Sequence, residues 1–170
     1  MPASQGSHVP KSASFEALTE TSKKVNSASK RLSESVEKMN DALKKLNLGV
    51  PVWIEVCGGS PDDHIVETEY LGYAKVRGKW GICIRFTVEG LDPEPQETEW
   101  HFDSAPREMR IHAAGQFGKL LVALNDESLK QAQVMEERAT DIDELTNAVT
   151  DIANRAHGRV SLRPSKMEAE

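Results

Sequence analysis

Residues 15–46 read FEALTETSKKVNSASKRLSESVEKMNDALKKL. Apolar or small residues recur there at alternating steps of three and four, in two series: Phe15, Ser22, Ser29, Val36, Leu43 and Leu18, Val25, Leu32, Met39, Leu46. A seven-residue repeat held for more than four heptads predicts one long helix with an apolar seam that coils around a partner helix. The organisation of the protein depends on what this seam is packed against.

The composition narrows the class of protein. Of the 170 residues 38% are hydrophobic and only 5% are aromatic, which favours a small domain with helical extensions over a large compact core. The net charge of −6 disfavours nucleic acid and anionic membranes as partners. The sequence lacks an apolar run of membrane-spanning length and an apolar signal segment in residues 1–14, and its two cysteines do not form a secreted disulfide framework. We therefore expect a cytoplasmic protein.

Changes in hydrophobic period divide the chain. Residues 1–13 are polar or small and predict a disordered tail. A long helix is expected over residues 14–48, because Ser14 can cap its start and Gly49 and Pro51 favour its end. Residues 50–113 alternate with a period of two and predict a small antiparallel domain of about five strands.

Three features define the predicted sheet. VPVWIEVC (residues 50–57) is the first strand, with Cys57 on the side away from Val52. The next two strands form a hairpin with a type II′ turn at Gly78-Lys79, which pairs Tyr73 with Ile84. The last two strands, TEWHFD (98–103) and REMRIHA (107–113), are joined across residues 104–106.

A second long helix is predicted over residues 115–157, with a possible break at Asn125, and a disordered tail over 158–170. The fold class is therefore α+β, with two heptad-patterned helices forming an antiparallel coiled-coil hairpin that flanks the inserted sheet. Charge supports the pairing: residues 14–47 hold seven basic and five acidic residues, a net of +2, whereas residues 117–157 hold four and eight, a net of −4.

The positions beside the first seam are small and uncharged, unlike the Glu and Lys of two-stranded coiled coils. Such flanks allow neighbours on two sides, so we expect two hairpins to associate into a four-helix bundle, as a homodimer or higher oligomer. Two alternatives remain open: a lone two-helix stalk, or helices that fold back over the sheet. The predicted oligomer interface consists of Leu18, Val25, Leu32, Val36, Met39, Leu43, Ile142, Leu145, Val149 and Ile152.

Residues that could carry chemistry form only a weak pattern. Metal-ligand types occur at Cys57, His64, Cys83, His101 and His112, but their spacing matches no zinc module. We therefore predict no catalytic residue, no metal and no cofactor. A possible ligand face on the outer side of the sheet comprises Cys57, Cys83, Arg85, His101 and His112, beside a patch of small residues at Gly72, Ala74 and Gly81.

The order of long helix, β region and long helix resembles the layout of prefoldin subunits, and the Ser/Ala/Asn-flanked heptads resemble chemoreceptor signalling helices. No residue motif accompanies either resemblance, so the sequence assigns no family. The resulting hypothesis is a non-enzymatic, self-associating interaction protein whose sheet presents a face to an unknown protein partner. The alternative is a sensory domain that binds a small molecule or a metal on a dimeric helical stem.

Overall fold

The computed structural model describes residues 11–59, 65–90 and 94–160. The predicted terminal tails lie outside that range, except for residues 11–13 and 158–160, which are helical. In chain order the elements are α1 (Lys11–Leu46), β1 (Val52–Gly58), β2 (Val66–Val76), β3 (Lys79–Glu89), β4 (Gln96–His101), a 3₁₀ turn (Phe102–Ser104), α2 (Arg107–Ala114) and α3 (Phe117–Val160). The chain divides into two compact units, Met1–Asn125 and Asp126–Glu170, and α3 is continuous through Asn125.

The described strands form one antiparallel sheet in the order β1-β2-β3-β4, so the α+β class and the antiparallel sheet are confirmed. The predicted fifth strand is wrong, because residues 107–113 belong to α2. Met109 and Ala113, one helical turn apart, pack toward the core, while Ile111 between them is 60% exposed. Pro106 directly precedes the helix and Glu108 lies in its first turn, both favourable at a helix start.

The hairpin between β2 and β3 turns at Arg77-Gly78, one residue earlier than predicted. Both residues have positive φ, 49° and 81°, as a type I′ turn requires. Tyr73 consequently faces Ile82 rather than Ile84, a shift of two residues from the predicted register. Because side chains alternate with a period of two, the shift leaves the apolar residues of both strands on their predicted common face.

The C-terminal half of α1 packs against the sheet of its own chain. Val36 and Leu43 are buried, and Leu32 and Met39 are partly buried against the same core. This arrangement corresponds to the alternative in which a helix folds back over the sheet. No coiled-coil hairpin is seen among the described residues: heptad spacing reports an apolar stripe but not which element covers it.

One flank of α1 also contacts its own domain. Asn26, Ser33 and Asn40 are spaced by seven residues and lie on one side of the helix. Their side-chain oxygens accept hydrogen bonds at 3.0 Å from, in order, the side chains of Arg107 and Arg110 in α2 and the backbone N–H of Ile82 in β3. The small uncharged flank that suggested a second hairpin therefore accommodates α2 and the edge of the sheet.

The core of the first unit lies between the sheet and the helices. Leu71 and Ile84 from the sheet and Leu120 and Leu124 from the start of α3 are almost completely buried there. Leu120 and Leu124 are one helical turn apart, so they present one side of α3 to this core.

The second unit is the remainder of α3, described to residue 160. From residue 129 to residue 156 every side chain of α3 is exposed. We call the residues Met135, Ile142, Leu145, Val149 and Ile152 the α3 stripe; each is between 61% and 66% exposed. Among the described residues no helix is both long and apolar enough to cross a membrane.

Candidate functional site

The five residues of the predicted ligand face fall into three separate groups. Cys57 in β1 lies near His112 in α2, Cys83 in β3 contacts His101 in β4, and Arg85 in β3 forms ion pairs with glutamates of β4. His64, the other metal candidate, lies outside the described residues.

A β-bulge in β1 determines the face on which Cys57 lies. Glu55 pairs with Tyr70, but the next paired residue is Cys57, opposite Glu69, and Val56 is the additional residue. Bulges of this kind redirect the side chains that follow them. Cys57 therefore shares the helix-covered face with Glu69, whereas strict alternation had placed it on the outer face.

Cys57, Glu69 and His112 form a compact cluster where β1, β2 and α2 meet. Their ligand-type atoms all lie within 4.8 Å of one another, and His112 Nδ1 is 3.1 Å from Glu69 Oε2. The Glu69 side chain is only 14% exposed, while that of His112 is 44% exposed. Burial raises the pKa of the Cys57 thiol, and the charge of Glu69, with which the thiol is hydrogen-bonded, raises it further. The thiol alone is therefore a weak nucleophile.

Cys83 and His101 form a second pair on the opposite face of the sheet. His101 Nε2 lies 3.2 Å from the Val76 carbonyl oxygen, an acceptor, so this nitrogen carries the ring proton. Its Nδ1, 3.6 Å from Cys83 Sγ, is then free to accept from the thiol. Burial, with a contribution from the charge of Glu99, raises the pKa of the Cys83 thiol to about 12. This arrangement holds a protonated, inert thiol in place.

Arg85 is held by its neighbours rather than presented to a ligand. Its Nη2 donates to Glu99 Oε1 at 2.7 Å, and its Nε lies 3.2 Å from Glu97 Oε1. The guanidinium carbon also lies 4.1 Å from the centre of the Trp53 ring, which in turn crosses directly over Gly72. The guanidinium is thus occupied by two carboxylates and an aromatic face.

The patch of small residues is filled by the protein's own side chains. Gly72 lies beneath the tryptophan that stacks on Arg85, and Ala74 is buried. An added Cβ at Gly81 would lie 3.2 Å from the amide oxygen of Asn40 and 3.3 Å from His101 Nδ1. These positions are small because side chains of the same domain cross them closely.

Surface depressions are also present in the first unit, and two of them bear on what it could bind. A groove of about 280 Å³ between α1 and α2 is lined by Val25, Ala28, Leu32 and Ile111, with Arg107 and Arg110 along its side. A shallower depression of about 530 Å³ lies among Pro51, Trp53, Ala74, Arg85 and Glu99.

Glu69 is the site residue that sequence reasoning missed. It stands two residues before Leu71 and four before Tyr73, so it shares a strand face with two core residues. Glu67 and Lys75 alternate onto the same face, so charged residues flank the two core residues there and the sequence carries no signal that singles out Glu69.

The fold and site thus define an α+β domain continued by an exposed helix, with a Cys/Glu/His cluster at one corner of the sheet. Comparison with protein-family models, with curated proteins and with solved structures found no match to this chain.

Proposed function

We propose that this protein is a non-enzymatic, self-associating interaction protein. In this proposal the α3 stripe binds a second copy of the chain, and the sheet domain presents a face to another protein. The observation that carries it is the α3 stripe itself: five apolar residues at heptad positions, each more than 60% exposed. Exposed apolar residues repeated along one side of a helix are typical of interaction sites, and Arg138 is the one charged residue in this row, between Met135 and Leu145.

The spacing of the stripe favours a helix as its occupant. Met135, Ile142 and Val149 are seven residues apart, as are Leu145 and Ile152, which gives the two positions of a coiled-coil seam. Ala132, Ala139 and Ala153 lie beside that seam and allow close approach of a neighbouring helix.

Charge favours the N-terminal half of α1 from a second copy as that helix. Residues 126–156 of α3 contain eight acidic and three basic residues, whereas residues 14–31 of α1 contain four basic and two acidic ones. Phe15 and Leu18 of α1 are 72% and 68% exposed, and Val25 is also exposed. Two α3 helices facing each other would instead bring acidic surfaces together.

The depression at Trp53 supports the second part of the proposal. It combines an aromatic ring with a guanidinium, two groups that are enriched in protein interfaces. The ion pairs of Arg85 hold these groups in a fixed arrangement before any partner binds.

Light scattering on a sizing column tests self-association over a tenfold range of concentration. We expect the wild-type chain to exceed the mass of 18.8 kDa calculated for one chain. Ile142→Asp should return it to that mass, since it places a carboxylate in the seam. Asn147→Asp is the matched control: it adds the same charge to an exposed position of the same helix, away from the stripe.

A wild-type protein that is monomeric at every concentration would refute the proposal, as would an Ile142→Asp variant with unchanged mass. The related substitution Leu32→Asp, suggested by the heptads of α1, is unsuitable because Leu32 packs against the core of its own domain.

A further inference from the structure

We propose that Cys57, Glu69 and His112 bind one divalent cation of the zinc type. The protein ligands would be the Cys57 sulfur, one carboxylate oxygen of Glu69 and one ring nitrogen of His112. The three residues lie on three different elements, β1, β2 and α2, and their side chains converge at one point.

The spacing of the ligand atoms suits a tetrahedral ion. Bonds of about 2.0–2.1 Å from zinc to nitrogen and oxygen place those two atoms roughly 3.4 Å apart, and a sulfur at about 2.3 Å roughly 3.6 Å from each. His112 Nδ1 and Glu69 Oε2 are already 3.1 Å apart, and all three atoms lie within 4.8 Å of one another. The three atoms are therefore already close to the separations that a tetrahedral ion requires.

The ligand types decide between classes of cation. A thiolate and an imidazole favour zinc and related transition metals, whereas calcium and magnesium require oxygen ligands almost exclusively. Three protein ligands leave a fourth position for water or for a group from a partner, as in zinc sites that are not fully closed. His112 and Cys57 are exposed, so the ion can enter from solvent.

The cluster is built into the fold. The backbone of Glu69 pairs with strands on both sides, since β2 lies between β1 and β3, and the Glu69 side chain is largely buried. The bulge after Glu55 turns Cys57 toward it, and His112 reaches it from the last turn of α2. A bound ion would therefore link α2 to the sheet and raise the stability of the folded domain by mass action.

Cobalt(II) is the probe for the test, because a thiolate ligand gives Co²⁺ a charge-transfer absorption in the near ultraviolet. The full-length chain is treated with a chelator, dialysed and titrated with Co²⁺, and Zn²⁺ is then added to displace it. The site variants are Cys57→Ser, His112→Gln and Glu69→Gln, each checked for native circular dichroism before titration. Thermal unfolding with and without Zn²⁺ gives an independent measurement.

The chain provides its own control in Cys83 and His101, a cysteine–histidine pair whose Sγ and Nδ1 lie 3.6 Å apart on the other face of the sheet. We expect one equivalent of Co²⁺ per chain with thiolate absorption, retained in Cys83→Ala and His101→Gln. The absorption should be lost in Cys57→Ser, and affinity should fall at least about tenfold in His112→Gln and Glu69→Gln, a loss typical even of residues that only support metal ligands. Zn²⁺ should raise the melting temperature of the wild type but not of Cys57→Ser.

Two results would overturn the proposal. The first is the absence of thiolate absorption in the wild type at saturating Co²⁺. The second is a signal that survives in Cys57→Ser or disappears in Cys83→Ala, which would assign binding to the other pair. The mass measurement of the preceding section is independent of this test, because none of the three ligands belongs to the α3 stripe.

Discussion

Replacing Gly72 by alanine should strongly destabilise the sheet domain. A Cβ at this position would overlap the ring of Trp53 and would lie 2.6 Å from the carbonyl oxygen of Val52. The ring could rotate away, but the Val52 carbonyl belongs to the backbone of β1, which pairs with β2 along this stretch. Relief of the clash therefore requires β1 to separate locally from the sheet and Trp53 to leave Arg85.

The expected magnitude follows from these contacts. Added volume in a closely packed site costs about 1–3 kcal/mol, and loss of an exposed cation–π contact costs about 0.5–1 kcal/mol more. A total of about 1.5–4 kcal/mol corresponds, in a domain of roughly 110 residues, to a fall in melting temperature of roughly 6–16 °C.

Thermal unfolding followed by tryptophan fluorescence is the measurement, because Trp53, Trp80 and Trp100 all lie in strands of the sheet and report on its unfolding. Gly118→Ala is the matched control, since a Cβ at Gly118 in the first turn of α3 would lie in open space among the described residues. Alanine also favours helix over glycine by up to about 1 kcal/mol. The control should melt at the wild-type temperature or slightly above it. A Gly72→Ala protein that melts within about 2 °C of the wild type would refute the close crossing of Trp53 over β2.

Two further predictions concern the thiols. A thiol reagent at pH 8 should modify only the exposed Cys57 in the native protein and both cysteines in denaturant. Mass spectrometry counts the modified cysteines. Modification of the buried Cys83 in the native protein at the same rate as Cys57 would contradict its packing. Stability should also fall as the pH rises above about 9, because the Cys83 thiol of the unfolded chain ionises near 9.0 whereas that of the folded chain has a pKa of about 12, so the unfolded state loses its proton first. Urea midpoints measured between pH 8 and 11 should decline less steeply in Cys83→Ala than in the wild type. Part of the decline should remain in the variant, because the pKa of Tyr73 is also raised in the folded state. Parallel curves for the two proteins would rule out this contribution of Cys83.

The features predicted correctly from sequence are those that tolerate small errors. The hairpin turn was placed one residue late, yet a register shift of two residues keeps Leu71 and Tyr73 on the core face. The α+β class was predicted correctly because it depends on the change of hydrophobic period along the chain and not on the exact boundaries of helices and strands. The number of strands was predicted wrongly at residues 107–113. Met109 and Ile111 have the two-residue spacing of a strand, but Met109 and Ala113, which pack toward the core, have the four-residue spacing of a helix.

The element that packs against the α1 seam could not be predicted, because a heptad pattern indicates which residues become buried but not which element buries them. Val36 and Leu43 are covered by the sheet of their own chain, whereas Leu18 of the same seam and Ile142 of α3 are exposed. The pattern is continuous in sequence while the packing changes along it. This is why the proposed oligomer interface is confined to the exposed part of α1 and to the α3 stripe.

The Cys57–Glu69–His112 cluster exists because two departures from local rules coincide. Without the bulge, Cys57 would lie on the outer face of the sheet, and with a strand at 107–113 His112 would not reach Glu69 from a helix. The carboxylate of Glu69 is largely withdrawn from water, which is costly unless opposite charge or hydrogen-bond donors surround it. The Cys57 thiol and the imidazole of His112 supply part of that compensation, and a divalent cation would supply more. The cobalt titration distinguishes a Glu69 that binds a metal from one that serves only as the hydrogen-bond partner of Cys57 and His112.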